Sequence, residues 1–124
     1  MFTKKNFFKV IILVISLVLL VGCESLIDNK NSITDFVKSH SYNDVYSKID
    51  ESVMKIQMFP SEEYENDFIY YVMAIKANYE KFNTNEIENL YNKLNFQYDF
   101  SFNTLKYTRN DYENDLMFLK SKIM

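Results

Sequence analysis

Glycine, proline, cysteine and histidine each occur once in this chain of 124 residues, as Gly22, Pro60, Cys23 and His40. Each scarcity removes some chemistry. A single cysteine allows no disulfide framework within the chain and no cysteine-based metal site. With no glycine after Gly22 there is no Gly-rich loop to cradle phosphate, no glycine-flanked nucleophile turn and no Gly-containing calcium loop. His40 has no HExxH spacing around it and lies between Ser39 and Ser41, so it reads as a turn residue rather than a base. The acidic run Glu62, Glu63, Glu65 and Asp67 falls where a helix begins, and the helix dipole favours carboxylates there without any metal. It reads as a solvated helix start. No catalytic constellation remains, and the sequence predicts no enzyme, no metal, no cofactor and no small-molecule substrate.

What is abundant is unevenly placed. Lys4, Lys5 and Lys9 precede an apolar run from Val10 to Val21, broken only by Ser16, and Gly22 leads directly into Cys23. A charged head, a short apolar stretch and a small-residue exit form the pattern of a signal peptide. A run of about a dozen residues is too short to span a bilayer, which needs roughly 20. The tetrapeptide Leu20-Val21-Gly22-Cys23 resembles the lipobox of bacterial lipoproteins. That resemblance implies cleavage before Cys23, a diacylglycerol on its thiol and an acyl chain on the new amine. Two or more chains hold a protein on a membrane, whereas one gives only marginal binding at ~0.8 kcal/mol per buried CH₂. The expected organisation is a signal peptide over 1–22, a lipidated tether over 23–31 and a helical repeat-like domain over 32–124.

Without residues 1–22, 102 residues remain, eleven of them basic and seventeen acidic, a net charge of −6 against −3 for the whole chain. So acidic a chain is poorly suited to nucleic acid or to anionic lipid surfaces. Eighteen of the 102 are aromatic, more large rings than a small domain can bury, so some are expected at the surface, where aromatic clusters mark partner sites.

The remaining chain reads as all-α, about five antiparallel helices joined by short turns. Glu24 to Asn31 is polar. Ser32 with Asp35 has the form of a capping box and opens a helix to about Ser39 with Ile33, Phe36 and Val37 on its apolar side. Ser41 with Asp44 opens a second, whose Tyr42, Val45, Tyr46, Ile49, Val53 and Ile56 share one face. Phe59-Pro60 ends it. Ser61 caps a third, expected to be the longest, running to about Phe82. Its main stripe is Tyr64, Phe68, Tyr71, Val72, Ile75, Tyr79 and Phe82. Tyr70, Met73 and Ala77 make it apolar on a second side too, the mark of a helix sandwiched between neighbours or offering that side to a partner. Asn83 with Glu86 starts a fourth helix with Ile87, Leu90, Tyr91, Leu94 and Tyr98. The alternation from Phe96 to Phe102 has a strand's period, but a lone strand has nothing to pair with. It reads as an extended loop tucking its rings onto the core. Thr108 with Asp111 opens the last helix, carrying Tyr112, Leu116, Leu119 and Ile123.

Tyr64-Glu65-Asn66-Asp67-Phe68 recurs as Tyr112-Glu113-Asn114-Asp115-Leu116, an approximate internal repeat. The order helix, Phe59-Pro60, Ser61, Tyr64-x-x-Asp67 and an aromatic-rich helix to Tyr79 resembles the junction between tetratricopeptide repeats. It is similar in particular to the BamD (YfiO) lipoproteins of the outer-membrane β-barrel assembly machinery. Tyr107 to Asp111 followed by Leu116 to Lys120 looks like a later helix start in that family. The small residues that let paired helices approach closely are mostly absent, Ala74 and Ala77 being the only alanines. The resemblance implies tetratricopeptide-like helical hairpins and a protein-binding scaffold on the periplasmic face of the outer membrane. Its partners would be a BamA-type barrel protein and unfolded outer-membrane proteins, held in a groove at Asn66, Tyr70, Met73 and Ala77. The alternative is a surface-exposed helical lipoprotein that binds a host or phage component, or acts in immunity or exclusion.

Overall fold

A computed structural model describes residues 29–96, 99–100 and 105–124. The chain divides into two compact units, Met1–Asn31 and Ser32–Met124. Of the first, only residues 29–31 are described, and they are helical. The signal-peptide segment, Cys23 and most of the 23–31 tether lie outside the described residues. The second unit is all-helical among its described residues, with no strand. It holds α1 (32–39), α2 (Tyr42–Met58), α3 (Glu62–Ala77), a short 3-10 turn (Tyr79–Lys81), α4 (Thr84–Leu94) and α5 (Arg109–Ser121).

The caps fall where the sequence places them in four helices of five. Ser41 accepts from the Asp44 amide at 3.4 Å and Ser61 from the Tyr64 amide at 3.3 Å. Asn83 with Glu86, and Thr108 with Asp111, close full reciprocal capping boxes. Each satisfies amides that a helix start leaves without partners. Ser32 is the exception. Residues 29–31 are already helical, so Ser32 lies within a helical turn instead of beginning one. A capping pattern permits a start, but Asn29, Lys30 and Asn31 contain no Gly or Pro to enforce it.

The end of α1 is closed from a distance. The Lys81 ammonium donates to the carbonyls of Val37 at 2.6 Å, Lys38 at 3.0 Å and His40. These are the orphan acceptors at a helix C-terminus, and a cation there also complements the dipole. His40 folds into the same end, its ring stacked on Phe36 at 3.9 Å and its Nδ1 within 3.0 Å of Ser39 Oγ. It serves this closure, in keeping with the turn reading.

Helix α2 ends at Phe59-Pro60 as expected, with the Phe59 amide donating to Lys55 O at 2.8 Å. Helix α3 stops at Ala77, short of the expected Phe82, which leaves α2 the longer at 17 residues against 16. The reason is Asn78. Its backbone leaves the helical region (φ −119°, ψ 24°) and its side-chain amide donates to Ala74 O at 2.8 Å, closing the last turn. The chain then makes the 3-10 turn and restarts at Asn83.

Helix α2 packs on α3 and on α4, and α5 packs on α3 and on α4. Three residues, Phe59 to Ser61, join α2 to α3, a connection of the length that antiparallel neighbours use. The arrangement is consistent with two stacked hairpins, α2–α3 and α4–α5. Counted from their caps, the four helices bury equivalent positions. The fourth residue is Val45, Glu65, Ile87 or Tyr112, the eleventh Ser52, Val72, Leu94 or Leu119, and all eight are buried. The cap therefore sets which face turns inward. The Tyr-Glu-Asn-Asp repeat does not follow this register. Tyr64 is third after its cap and Tyr112 fourth, which rotates the two motifs by about 100° on their helices. Tyr64 is half-buried and Tyr112 buried; Glu65 and Asn66 are buried, whereas Glu113 and Asn114 are exposed.

The connection from Asn95 to Thr108 tucks rings onto the core, as the alternating pattern suggested. Phe68 meets Phe96 edge-on at 5.0 Å, stacks with Phe100 at 5.9 Å and leans on Tyr112 at 6.0 Å. Such ring pairs add specific geometry to the burial of large apolar area. The Tyr112 hydroxyl donates to Leu94 O and ties α5 to the end of α4. Residues 97–98 and 101–104, including Tyr98 of the expected fourth stripe, lie outside the described residues. Where the connection turns toward α5, Lys106 takes a positive φ of 54°, a left-handed position that glycine more often fills.

Candidate binding surface between α3 and α5

The residues expected to line a groove, Asn66, Tyr70, Met73 and Ala77, lie along one side of α3, but the structure divides them. Asn66 is 1% exposed and Tyr70 5%, both within the core, while Met73 is 38% exposed and Ala77 lies open. The first half of that side is covered and the second half free. A helix apolar on two sides buries both wherever it has neighbours on both. Sandwiching therefore accounts for Asn66 and Tyr70, and only Met73 and Ala77 remain at the surface.

Beside Met73 lies a concavity of 290 Å³ lined by Met73 and Lys76 from α3, Tyr107 from the connection, and Asp111 and Asp115 from α5. Its wall is a three-residue network. Lys76 Nζ donates to Asp115 Oδ1 at 2.8 Å, and the Tyr107 hydroxyl donates to Asp115 Oδ2 at 2.6 Å. Asp115 is buried, so each of its oxygens needs a partner, and the two donors supply one apiece. Burial first, and then the bond to Asp115, push the Tyr107 hydroxyl above its ordinary pKa. It is a held donor and not a base.

Lys76 also borders an aromatic and cationic group on the neighbouring surface. Tyr79 and Phe118 meet edge-on at 5.2 Å. Lys76 lies 5.3 Å from the Phe118 centroid, and Lys122 lies 4.8 Å from Tyr79 and 4.9 Å from Phe118. Ammonium groups over ring faces are attracted by the ring quadrupole and keep their remaining N–H donors for another ligand. Asp115, Phe118 and Lys122 are spaced i, i+3, i+7, which puts them on one face of α5, a sign the sequence does carry. Lys76 meeting Asp115 across 39 residues is carried by no local pattern.

The acidic run divides as well. Glu62 and Glu63 are exposed, as expected of a solvated helix start, but Glu65 is 0% exposed and Asp67 is half-buried. Glu65 occupies the fourth position after the cap, where the other three helices bury Val45, Ile87 and Tyr112. Burial, reinforced by Glu63 and opposed by Lys55, pushes Asp67 up to about 6. Among the described residues no group of three or more His, Cys, Asp or Glu side chains is placed to hold a metal, and no helix is long and apolar enough to cross a membrane.

A concavity of this size falls just below the roughly 300 Å³ at which ligand pockets begin. Its lining combines a thioether, a phenol, one ammonium and two carboxylates. Neither a scan against protein-family models nor searches of curated proteins and of solved structures find a match to this chain.

Proposed function

We propose that this chain is a membrane-anchored lipoprotein, lipidated at Cys23, whose helical domain is a protein-binding scaffold accessory to outer-membrane β-barrel assembly. The observation that carries the anchor is the lone cysteine set directly after a short apolar run, in Leu20-Val21-Gly22-Cys23. The scaffold reading is supported by helices that pack pairwise and by the Met73–Ala77 end of α3, which stays open beside a concavity. The partners it would hold are a BamA-type barrel protein and unfolded outer-membrane chains.

Three measurements test this in cells that produce the protein. Metabolic labelling with palmitate should mark the wild type and not Cys23→Ser, and Cys23→Ser should leave the membrane fraction. Protease added to intact cells should spare the domain. Affinity isolation from solubilised membranes should recover a barrel protein of the BamA type. An unlabelled wild type refutes the anchor. Rapid digestion on intact cells refutes the periplasmic scaffold and favours an outward-facing lipoprotein for a host or phage component.

A further inference from the structure

The hollow between α3 and α5 carries one charge that the described residues leave unanswered. Its lining is Met73, Lys76, Tyr107, Asp111 and Asp115, one ammonium against two carboxylates, hence a net charge of −1. Lys76 and Asp115 neutralise each other at 2.8 Å, and the second oxygen of Asp115 accepts from the Tyr107 hydroxyl. The surplus charge is therefore that of Asp111. Its Oδ2 accepts from the Thr108 amide at 2.9 Å in the capping box, and it has no ion pair among the described residues. The Thr108 amide, and then the Thr108 hydroxyl, hold its carboxyl below the ordinary range, so it stays ionised. Arg109, the nearest cation in the chain on that helix, is committed to Asp99 at 3.3 Å and to Glu113 at 3.2 Å. Beside this carboxylate stands Met73, an apolar side chain left 38% exposed.

We propose that this hollow receives an arginine side chain of a partner polypeptide, with its guanidinium on Asp111 and its aliphatic stem along Met73. Charge selects first. An acidic guest meets a net negative lining, whereas a cation makes a charge-assisted hydrogen bond with Asp111 Oδ1, the oxygen that the capping box leaves over. The chemistry of the walls selects next. A guanidinium is planar, delocalised and weakly hydrated, so it stacks on an aromatic ring such as that of Tyr107 and tolerates the Lys76 ammonium better than the compact charge of a lysine does. A methionine is flexible and apolar, and the stem of a long cationic side chain covers such a surface while its head stays polar. Size selects the source. A hollow smaller than ordinary ligand pockets encloses only part of its guest, and the remainder lies outside it, on the open Met73–Ala77 end of α3. That the guest belongs to a polypeptide rests on the scaffold reading above; that it is a cation does not.

The test is an NMR titration of the detergent-solubilised full chain, labelled with ¹³C at the methionine methyl groups, in which Met73→Leu assigns the Met73 signal. The probes are capped tripeptides, glycine-X-glycine, with X as arginine, as its uncharged isostere citrulline, or as glutamate, together with agmatine as a free guanidinium compound. The arginine peptide should move the Met73 methyl signal saturably, and binding should weaken as salt is added. The citrulline and glutamate peptides should bind at least about tenfold more weakly, since each lacks the cation of a charge-assisted bond. Asp111→Asn should weaken the arginine peptide on the order of tenfold with an unchanged circular dichroism spectrum, because the amide oxygen of asparagine still accepts from Thr108. Equal affinity for the arginine and citrulline peptides overturns the proposal, as does an Asp111→Asn variant that binds like the wild type. Tighter binding of agmatine than of the peptide overturns the polypeptide source. Failure to recover a barrel protein of the BamA type from membranes leaves these outcomes as they are and counts against the assembly role alone.

Discussion

Asp67 offers the sharpest check on the reasoning about burial. It lies on α3 facing Lys55 of α2, with Glu63 one turn before it and Tyr70 and Tyr71 beside it. Burial, then Glu63, raise its carboxyl from 3.8 to about 6, against the pull of Lys55. The folded state therefore binds this proton more tightly than the unfolded chain does. Between about pH 4 and 6 the folded form carries more proton, so this residue makes stability fall as pH rises through that window. Above it the ionised carboxylate is a standing cost; below about pH 4 the cost is gone. A shift of about two pH units corresponds to roughly 3 kcal/mol, and solvent screening at a half-buried site reduces that to about 1–2 kcal/mol. Asp67→Asn should then stabilise the protein at pH 7 by about 1–2 kcal/mol, a rise in Tm of roughly 5–15 °C for a domain of this size. At pH 4 the two proteins should melt together. Thermal denaturation followed by circular dichroism from pH 4 to 7 reads the difference. Glu51 and Asp111, held below their ordinary values by Lys55 and by Thr108, act in the opposite direction at lower pH and cancel between the two proteins. A variant that is less stable than wild type at pH 7, or equal to it across the whole range, would refute the account.

Phe68 is fully buried where Phe96, Phe100 and Tyr112 converge, so Phe68→Ala should cost about 3–5 kcal/mol in urea denaturation, enough to leave a small domain barely folded. Tyr107→Phe removes one of the two donors to buried Asp115 and should cost about 1–2 kcal/mol; the pair with Lys76 should persist, which the Lys76 side-chain signals in NMR would show. Lys81→Met takes the ammonium from the end of α1 and should speed hydrogen exchange at the His40 amide, whose bond to Phe36 O closes that helix, with a loss of about 1 kcal/mol.

Much of the architecture was legible because its signals are local. A cap is a contact between residues three apart, and Ser41, Ser61, Asn83 and Thr108 all behave as their neighbours dictate. Phe59-Pro60 stops α2 for reasons within the ring of one residue. The apolar faces of α2 and α4 emerged for the same reason, since each helix has one buried side and a regular period. The surface was much less legible. Asn66 and Tyr70 share a helix side with Met73 and Ala77, and no period separates the buried pair from the open one. Lys76, Tyr107 and Asp115 became a unit only when α3, α5 and the connection met. Glu65 reads as one more acid at a solvated helix start, and counting from Ser61 would have marked it as an inward position.

The sequence by itself determined where four of the five helices start, that α2 stops at Phe59-Pro60, that the described chain is helical, and that Phe96 and Phe100 turn back onto the core. Each of these rests on hydrogen bonds and periodicity within a few residues, which the chain satisfies wherever it is. Tertiary structure decided which half of α3 stays open, which carboxylates leave water, and that Lys76 and Asp115 meet at a hollow between two helices. Those outcomes depend on what covers a residue from elsewhere in the chain, and burial by a distant neighbour leaves no mark in the local sequence.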